Sequence, residues 1–135
     1  MKTYWDTSGL IRAYMLKQTP RGVTRAHAAT EFFCVMSGPG LAVLEAGKLV
    51  KKALSPKDAA TATRNIFAGL EFFDLTGAKT IDALEESTGA GHIIGKSAHD
   101  WIHCKAAERC GAERIMTLNV QDFGRMTKLP LEAPV

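Results

Sequence analysis

Hydrophobic and polar positions follow two rhythms along this chain, one close to two residues and one close to 3.6. A short β-like run, Lys2-Thr3-Tyr4-Trp5-Asp6, leads through Thr7-Ser8-Gly9 into Leu10, Ile11, Tyr14 and Met15 at helical spacing, which predicts strand, tight turn, helix. Thr24 is positioned to cap a second helix over residues 25–36, which the Ser37-Gly38-Pro39-Gly40 cluster ends. Residues 41–54 gather Ala42, Val43, Ala46, Leu49, Val50 and Ala53 on one helical face and Glu45, Lys48, Lys51 and Lys52 on the other, predicting a third, amphipathic helix. A fourth begins with Ser55 as N-cap, Pro56 at the first helical position and Asp58 in the first turn, and runs to about Ala68.

After Gly69, the run from Leu70 to Leu75 is strand-like, and Thr76 or Thr80 can cap a short helix through Ala83, Leu84 and Glu85. Gly89, Gly91 and Gly95 mark a loop. Ser97 opens a helix whose charged face, Lys105, Glu108 and Arg109, turns His103, Ala106, Ala107 and Cys110 inward, and Gly111 ends it. Residues 114–117 form a last brief strand. Strands separated by helical stretches predict an α/β fold, a parallel sheet covered by helices on both faces, as one domain over residues 1–135. That length can bury a core without disulfides or structural metals.

Composition narrows the picture only a little. With 46% hydrophobic and 23% charged residues the chain has no disordered bias, and a net charge of +3 permits nucleic-acid binding without arguing for it. No uncharged apolar run approaches the roughly 18 residues that a membrane span needs. Cys34, Cys104 and Cys110 are odd in number and lack CxxC spacing, so the expected setting is a reducing cytoplasm.

The candidate chemistry lies in carboxylates. Sites in open parallel sheets form outside the carboxyl ends of strands, where Asp6 follows the first strand and Thr117, Asn119 and Asp122 follow the last. Asp100 falls in the first turn of its helix, and Glu31 shares a helical face with Ala28, Cys34 and Val35 rather than with other charges. Each has a plain alternative: Asp6 and Asp100 as helix-start residues, Asp122 as a turn residue, Glu31 as a solvated charge. Gathered in one cleft they would repel one another and raise their own pKa values unless a cation neutralised them, and hard oxygen ligands suit Mg²⁺ or Mn²⁺. His99 and His103 make an i, i+4 pair but no HExxH motif accompanies them, so hydrogen-bonded histidines at the core edge are expected. Arg12, Lys17, Arg21 and Arg25 are either phosphate-steering or ordinary solvated charges; Trp5 reads as core, and Trp101 as a candidate contact for a partner subunit.

TYWDTSGLI at the start, TEFF around Glu31 and SAHDWIHCKAAERCGAERIMTLNVQDF near the end, in that order, resemble the PIN-domain family, specifically the VapC-like toxin ribonucleases. The resemblance is strongest at Asp6-Thr7-Ser8 and from Asp100 to Phe123. It implies an acidic cluster that binds Mg²⁺ or Mn²⁺ and cleaves RNA, with Asp6, Glu31 and Asp100 matching the first three acids. Asn119 stands where some relatives carry an acid, leaving Asp122 as the nearer fourth carboxylate. Thr7, Ser8 and Thr117 would hydrogen-bond the carboxylates. An antitoxin partner and a homodimer are implied by the resemblance alone. Two other classes compete: a phosphoacceptor module, for which only Asp74 offers a central acid and no acidic pair follows the first strand, and a catalytically inactive interaction module whose carboxylates merely cap helices.

Overall fold

The structure, a computed structural model, describes residues 1–135 apart from the side chain of Leu44. Tyr4 and Trp5 point to opposite sides of the first strand, β1 (Thr3–Trp5), and both are buried, so a sheet with apolar cover on both faces follows from two adjacent residues. The chain continues through α1 (Thr7–Met15), β2 (Gly22–Thr24) and α2 (Ala26–Ser37) to a hairpin of β3 (Ala42–Glu45) and β4 (Lys48–Lys51). Then come α3 (Pro56–Phe67), β5 (Leu70–Phe72), α4 (Gly77–Ser87), a 3₁₀ turn, α5 (Ser97–Arg109), β6 (Arg114–Met116), α6 (Val120–Phe123) and β7 (Leu131–Glu132). The main sheet is wholly parallel in the order β5-β2-β1-β6-β7.

That order reverses direction at β1. The chain first builds outward through β2 to β5, then returns to lay β6 and β7 on the other side, so the crevice at the carboxyl ends of β1 and β6 is the topological switch point. Trp5 and Met116 face a core with α1, α2 and α3, where Phe32 and Met36 are fully buried. Tyr4, Val23 and Ile115 face a second core with α4 and α5.

Local signals act as the residue types dictate in most places. Ser55 accepts from the Asp58 amide and Thr76 from the Lys79 amide, each capping its helix. Of the two threonines considered for α4, Thr76 is the cap. Trp101 is buried rather than presented to a partner: its indole N–H donates to the Ala83 carbonyl at 2.7 Å, and Lys105 Nζ lies 4.1 Å from its ring centroid.

Two further expectations are corrected. Thr24 does not cap α2; it belongs to β2, and its hydroxyl donates to the Trp5 carbonyl at 2.8 Å. The α2 N-terminus is served instead by Asp74, whose carboxylate accepts from the Ala26 amide at 3.1 Å. The amphipathic helix expected over 41–54 is an antiparallel hairpin with Val43 opposite Val50 and Glu45 opposite Lys48. Its turn residues Ala46 and Gly47 both have positive φ, 48° and 79°, the pattern of a tight turn whose twist matches that of the strands.

Candidate functional site

Asp6 is the organising residue of the switch-point crevice. It is the N-cap of α1, only 3% exposed, and accepts from the Gly9 amide at 2.8 Å. The Ser8 hydroxyl donates to it at 2.8 Å and the Thr117 hydroxyl, from just beyond β6, at 2.8 Å. Ser8 Oγ in turn accepts from the Leu118 amide, and Thr117 Oγ1 from the Asn119 amide, both at 3.0 Å. Gly9 makes this closeness possible: a Cβ there would lie 2.5 Å from the Met116 carbonyl oxygen, so only glycine lets α1 start so near β6.

Glu31, from the middle of α2, joins this side of the crevice. Thr7 Oγ1 donates to its Oε1 at 2.9 Å, and His103 Nε2 stands 3.8 Å from the same oxygen. That separation is an ion-pair distance when the imidazole is charged, longer than a hydrogen bond. Nδ1 of His103 is 2.8 Å from the hydroxyl of fully buried Tyr4, so the tautomer protonated at Nε2 accepts from Tyr4 and presents its N–H to Glu31. His103, expected only as a histidine at the core edge, is therefore part of the crevice. The sequence does carry a signal for it, since it lies three residues beyond Asp100 and thus on the same helical face.

Asp100, in the first turn of α5, is half-buried, and Asp122, in α6, is exposed. Both line a cavity of about 150 Å³ together with His92, Ser97, Arg125 and Met126. Asn119 is exposed at the N-cap of α6 without a side-chain capping bond.

The electrostatics divide these acids. Burial pushes the Asp6 carboxyl above its ordinary value, against the pull of His103, the Gly9 amide and the Ser8 and Thr117 hydroxyls. Asp100 is pushed up by burial and then by the charge of Asp6, with Asp122 and Glu31 adding to the push and His103 opposing it. Glu31 goes the other way, to about 2, drawn down chiefly by His103 and also by the Thr7 hydroxyl, against its burial. Burial raises the Cys104 thiol, so it is no ready nucleophile.

Among the described residues, no three His, Cys, Asp or Glu side chains stand close enough together to hold a metal ion. Asp100 and Asp122 line one small cavity, and Glu31 is tied through the Thr7 hydroxyl to the start of α1 beside Asp6, so the acids do not form one closed cluster. The donor set nonetheless fits a hard dication: it is made of carboxylate oxygens, and Asp100 is raised in part by the other three carboxylates. Asp74, the one candidate for a phosphoacceptor, is occupied as a helix cap.

No family model matches the chain, and no curated protein matches it in sequence. Chains of known structure do match in fold. Against the structure of VapBC-1 from nontypeable Haemophilus influenzae, the TM-score is 0.61 at 16% identity, over 98% of this chain and 98% of that one. The likeness spans the whole architecture, and the fold is the expected PIN-like one, a five-stranded parallel sheet between two layers of helices.

Proposed function

We propose that this chain is a metal-dependent endoribonuclease of PIN type, acting as the toxin of a toxin–antitoxin pair. The observation that carries the reading is geometric: Asp6, held at the switch point by Gly9, Ser8 and Thr117, shares its crevice with Glu31, while Asp100 and Asp122 line one small cavity; burial first, then the charges of Asp6, Asp122 and Glu31, raise Asp100 against the pull of His103. The shared fold and the sequence motifs support it, and an antitoxin partner and a homodimer come with the same resemblance.

Asp6 and Asp100 would hold Mg²⁺ or Mn²⁺, with Asp122 and Glu31 orienting its waters or holding a second ion. Bound there, the metal supplies a Lewis acid beside the scissile phosphodiester and a water of lowered pKa. Asp6 contributes a fixed position, because Gly9, Ser8 and Thr117 hold its carboxylate. Glu31, at about 2, stays ionised through the neutral range and can accept a hydrogen bond from a water in the crevice, but is too weak a base to take its proton. Asn119 offers only a neutral amide at the mouth.

The test is cleavage of a mixed RNA pool by purified protein with Mg²⁺ or Mn²⁺, compared with EDTA and with Asp6→Asn and Asp100→Asn. Metal-dependent cleavage lost in both variants supports the reading; cleavage retained by both sinks it. The rival reading, an inactive interaction module, is favoured by the fact that, among the described residues, no three possible metal ligands stand close together, and calorimetric detection of tight Mn²⁺ binding would rule it out.

A further inference from the structure

The acidic crevice continues into a larger cavity. The small one, with Asp100 and Asp122, shares Arg125 and Met126 with a neighbouring cavity of about 620 Å³, which Lys105, Glu108, Thr127 and Lys128 also line. Its size falls in the roughly 300–1,000 Å³ range of small-ligand clefts.

The charges on its wall are not equivalent. Glu108 is already satisfied, by Lys105 Nζ at 3.1 Å and by the Thr127 hydroxyl at 2.7 Å. Lys105 is similarly committed: besides Glu108 it reaches Glu86 at 3.8 Å and sits over the Trp101 ring, with only 13% of its side chain exposed. Arg125 and Lys128 are different. Both are exposed, and among the described residues neither side chain makes an ion pair or a hydrogen bond within the chain. The cavity therefore has a braced, internally compensated back wall and two uncommitted cations at its front. One of them, Arg125, stands at the border with the carboxylates.

This arrangement suits an extended polyanion. A cleft of carboxylates repels phosphate, and a strand lying across it gains from cations immediately beside the acids, where a planar guanidinium can make two parallel hydrogen bonds to one phosphate. We infer that Arg125 and Lys128 form a phosphate subsite that holds the single-stranded RNA backbone next to the phosphodiester at the acidic crevice. The inference rests on the ribonuclease reading for the identity of the polyanion. It assigns to the loop after α6 the task of setting the register of the strand.

The experiment measures binding of a short fluorescein-labelled single-stranded RNA of mixed sequence to Asp100→Asn protein with Mg²⁺ present, by anisotropy over a range of salt concentrations. Adding Arg125→Gln and Lys128→Gln should weaken binding roughly ten- to hundredfold, the loss expected for two charge-assisted interactions. It should also lower the slope of log affinity against log salt by about 1.4, about 0.7 for each phosphate no longer neutralised. The control removes the same charge from the hairpin, with Lys48→Gln and Lys51→Gln. Equal losses in the two double variants, no loss in either, or no RNA binding by the parent would overturn the inference. Loss confined to the Arg125 and Lys128 pair, in a protein whose unmutated form cleaves no RNA, would uphold the subsite while sinking the ribonuclease reading.

Discussion

Asp6 and Asp100 are both aspartates at the starts of helices, yet the chain treats them in opposite ways. Asp6 is almost wholly buried and receives hydrogen bonds from one amide and two hydroxyls, one of them 111 residues away in sequence. Asp100 is half-buried, makes no side-chain hydrogen bond among the described residues, and is set mainly by burial and by the charge of Asp6. One carboxylate is fixed by structure; the other is poised by electrostatics. The crevice thus joins a rigid carboxylate to one whose position no hydrogen bond among the described residues fixes.

The sharpest way to break the comparison is activity. If both aspartates serve the same reaction, Asp6→Asn and Asp100→Asn should each lower RNA cleavage by on the order of 10³, the scale of losing several kcal/mol of transition-state stabilisation. Single-turnover rates would check this. A loss in only one variant would break the pairing.

Stability should separate them next. Asp6→Ala removes a helix cap and leaves the Ser8 and Thr117 hydroxyls without their acceptor, an expected loss of about 2–4 kcal/mol in urea denaturation. Asp100→Asn removes a charge that its neighbours oppose, so the metal-free protein should be at least as stable as its parent. A destabilised Asp100→Asn would show that the residue is structural after all. Smaller still, Thr117→Val should cost about 1–2 kcal/mol, because it removes one charge-assisted bond to a buried acceptor while Ser8 and Gly9 keep theirs.

The smallest effects should appear in pH profiles. Asp6 and Asp100 have carboxyls raised above 3.8 in the folded state, so their contribution is fully present below that ordinary value and is lost as pH rises through the raised one. Glu31, lowered from 4.5 to about 2, contributes above 4.5 and loses that contribution as pH falls towards 2. In EDTA, Tm should therefore climb as pH is lowered from neutrality towards about 4.5 and drop below it. Asp100→Asn should flatten the climb. Mn²⁺ should raise Tm more at neutral pH than in mild acid, where protons already neutralise part of the cluster; an equal gain at both would argue against binding through Asp100.

How much of this is legible in the sequence depends on how local the cause is. Ser55 and Thr76 announce their helices because a cap acts within four residues. The hairpin is hidden because Ala42, Val43, Ala46, Leu49 and Val50 satisfy a helical face, and its turn carries Ala46-Gly47 in place of Asn-Gly. The strand Gly22–Thr24 gives no signal at three residues, and it exists because β1 and β5 pair with it. At the crevice, residue type and order single out Asp6, Glu31, Asp100 and Asp122, of which Asp100 and Asp122 line one small cavity; the contrast between a fixed Asp6 and a poised Asp100 is not readable, because it depends on contacts between β1, α1, β6 and α5. His103 is hard to value for the same reason: its partners Tyr4 and Glu31 lie far away in sequence.

The bond from Thr117 to Asp6 also has a consequence in time. The two strands that it joins are central neighbours in the sheet, yet the bonded residues lie 111 positions apart in sequence. During synthesis the first half can form α1 and α2 early, from local contacts, but the β1–β6 pairing is among the most non-local in the molecule and must come late. Until Thr117 has left the ribosome, Asp6 lacks one of its three donors and the crevice lacks a wall. The acidic crevice is thus assembled only after α5 and β6 have been made, however early α1 and α2 form.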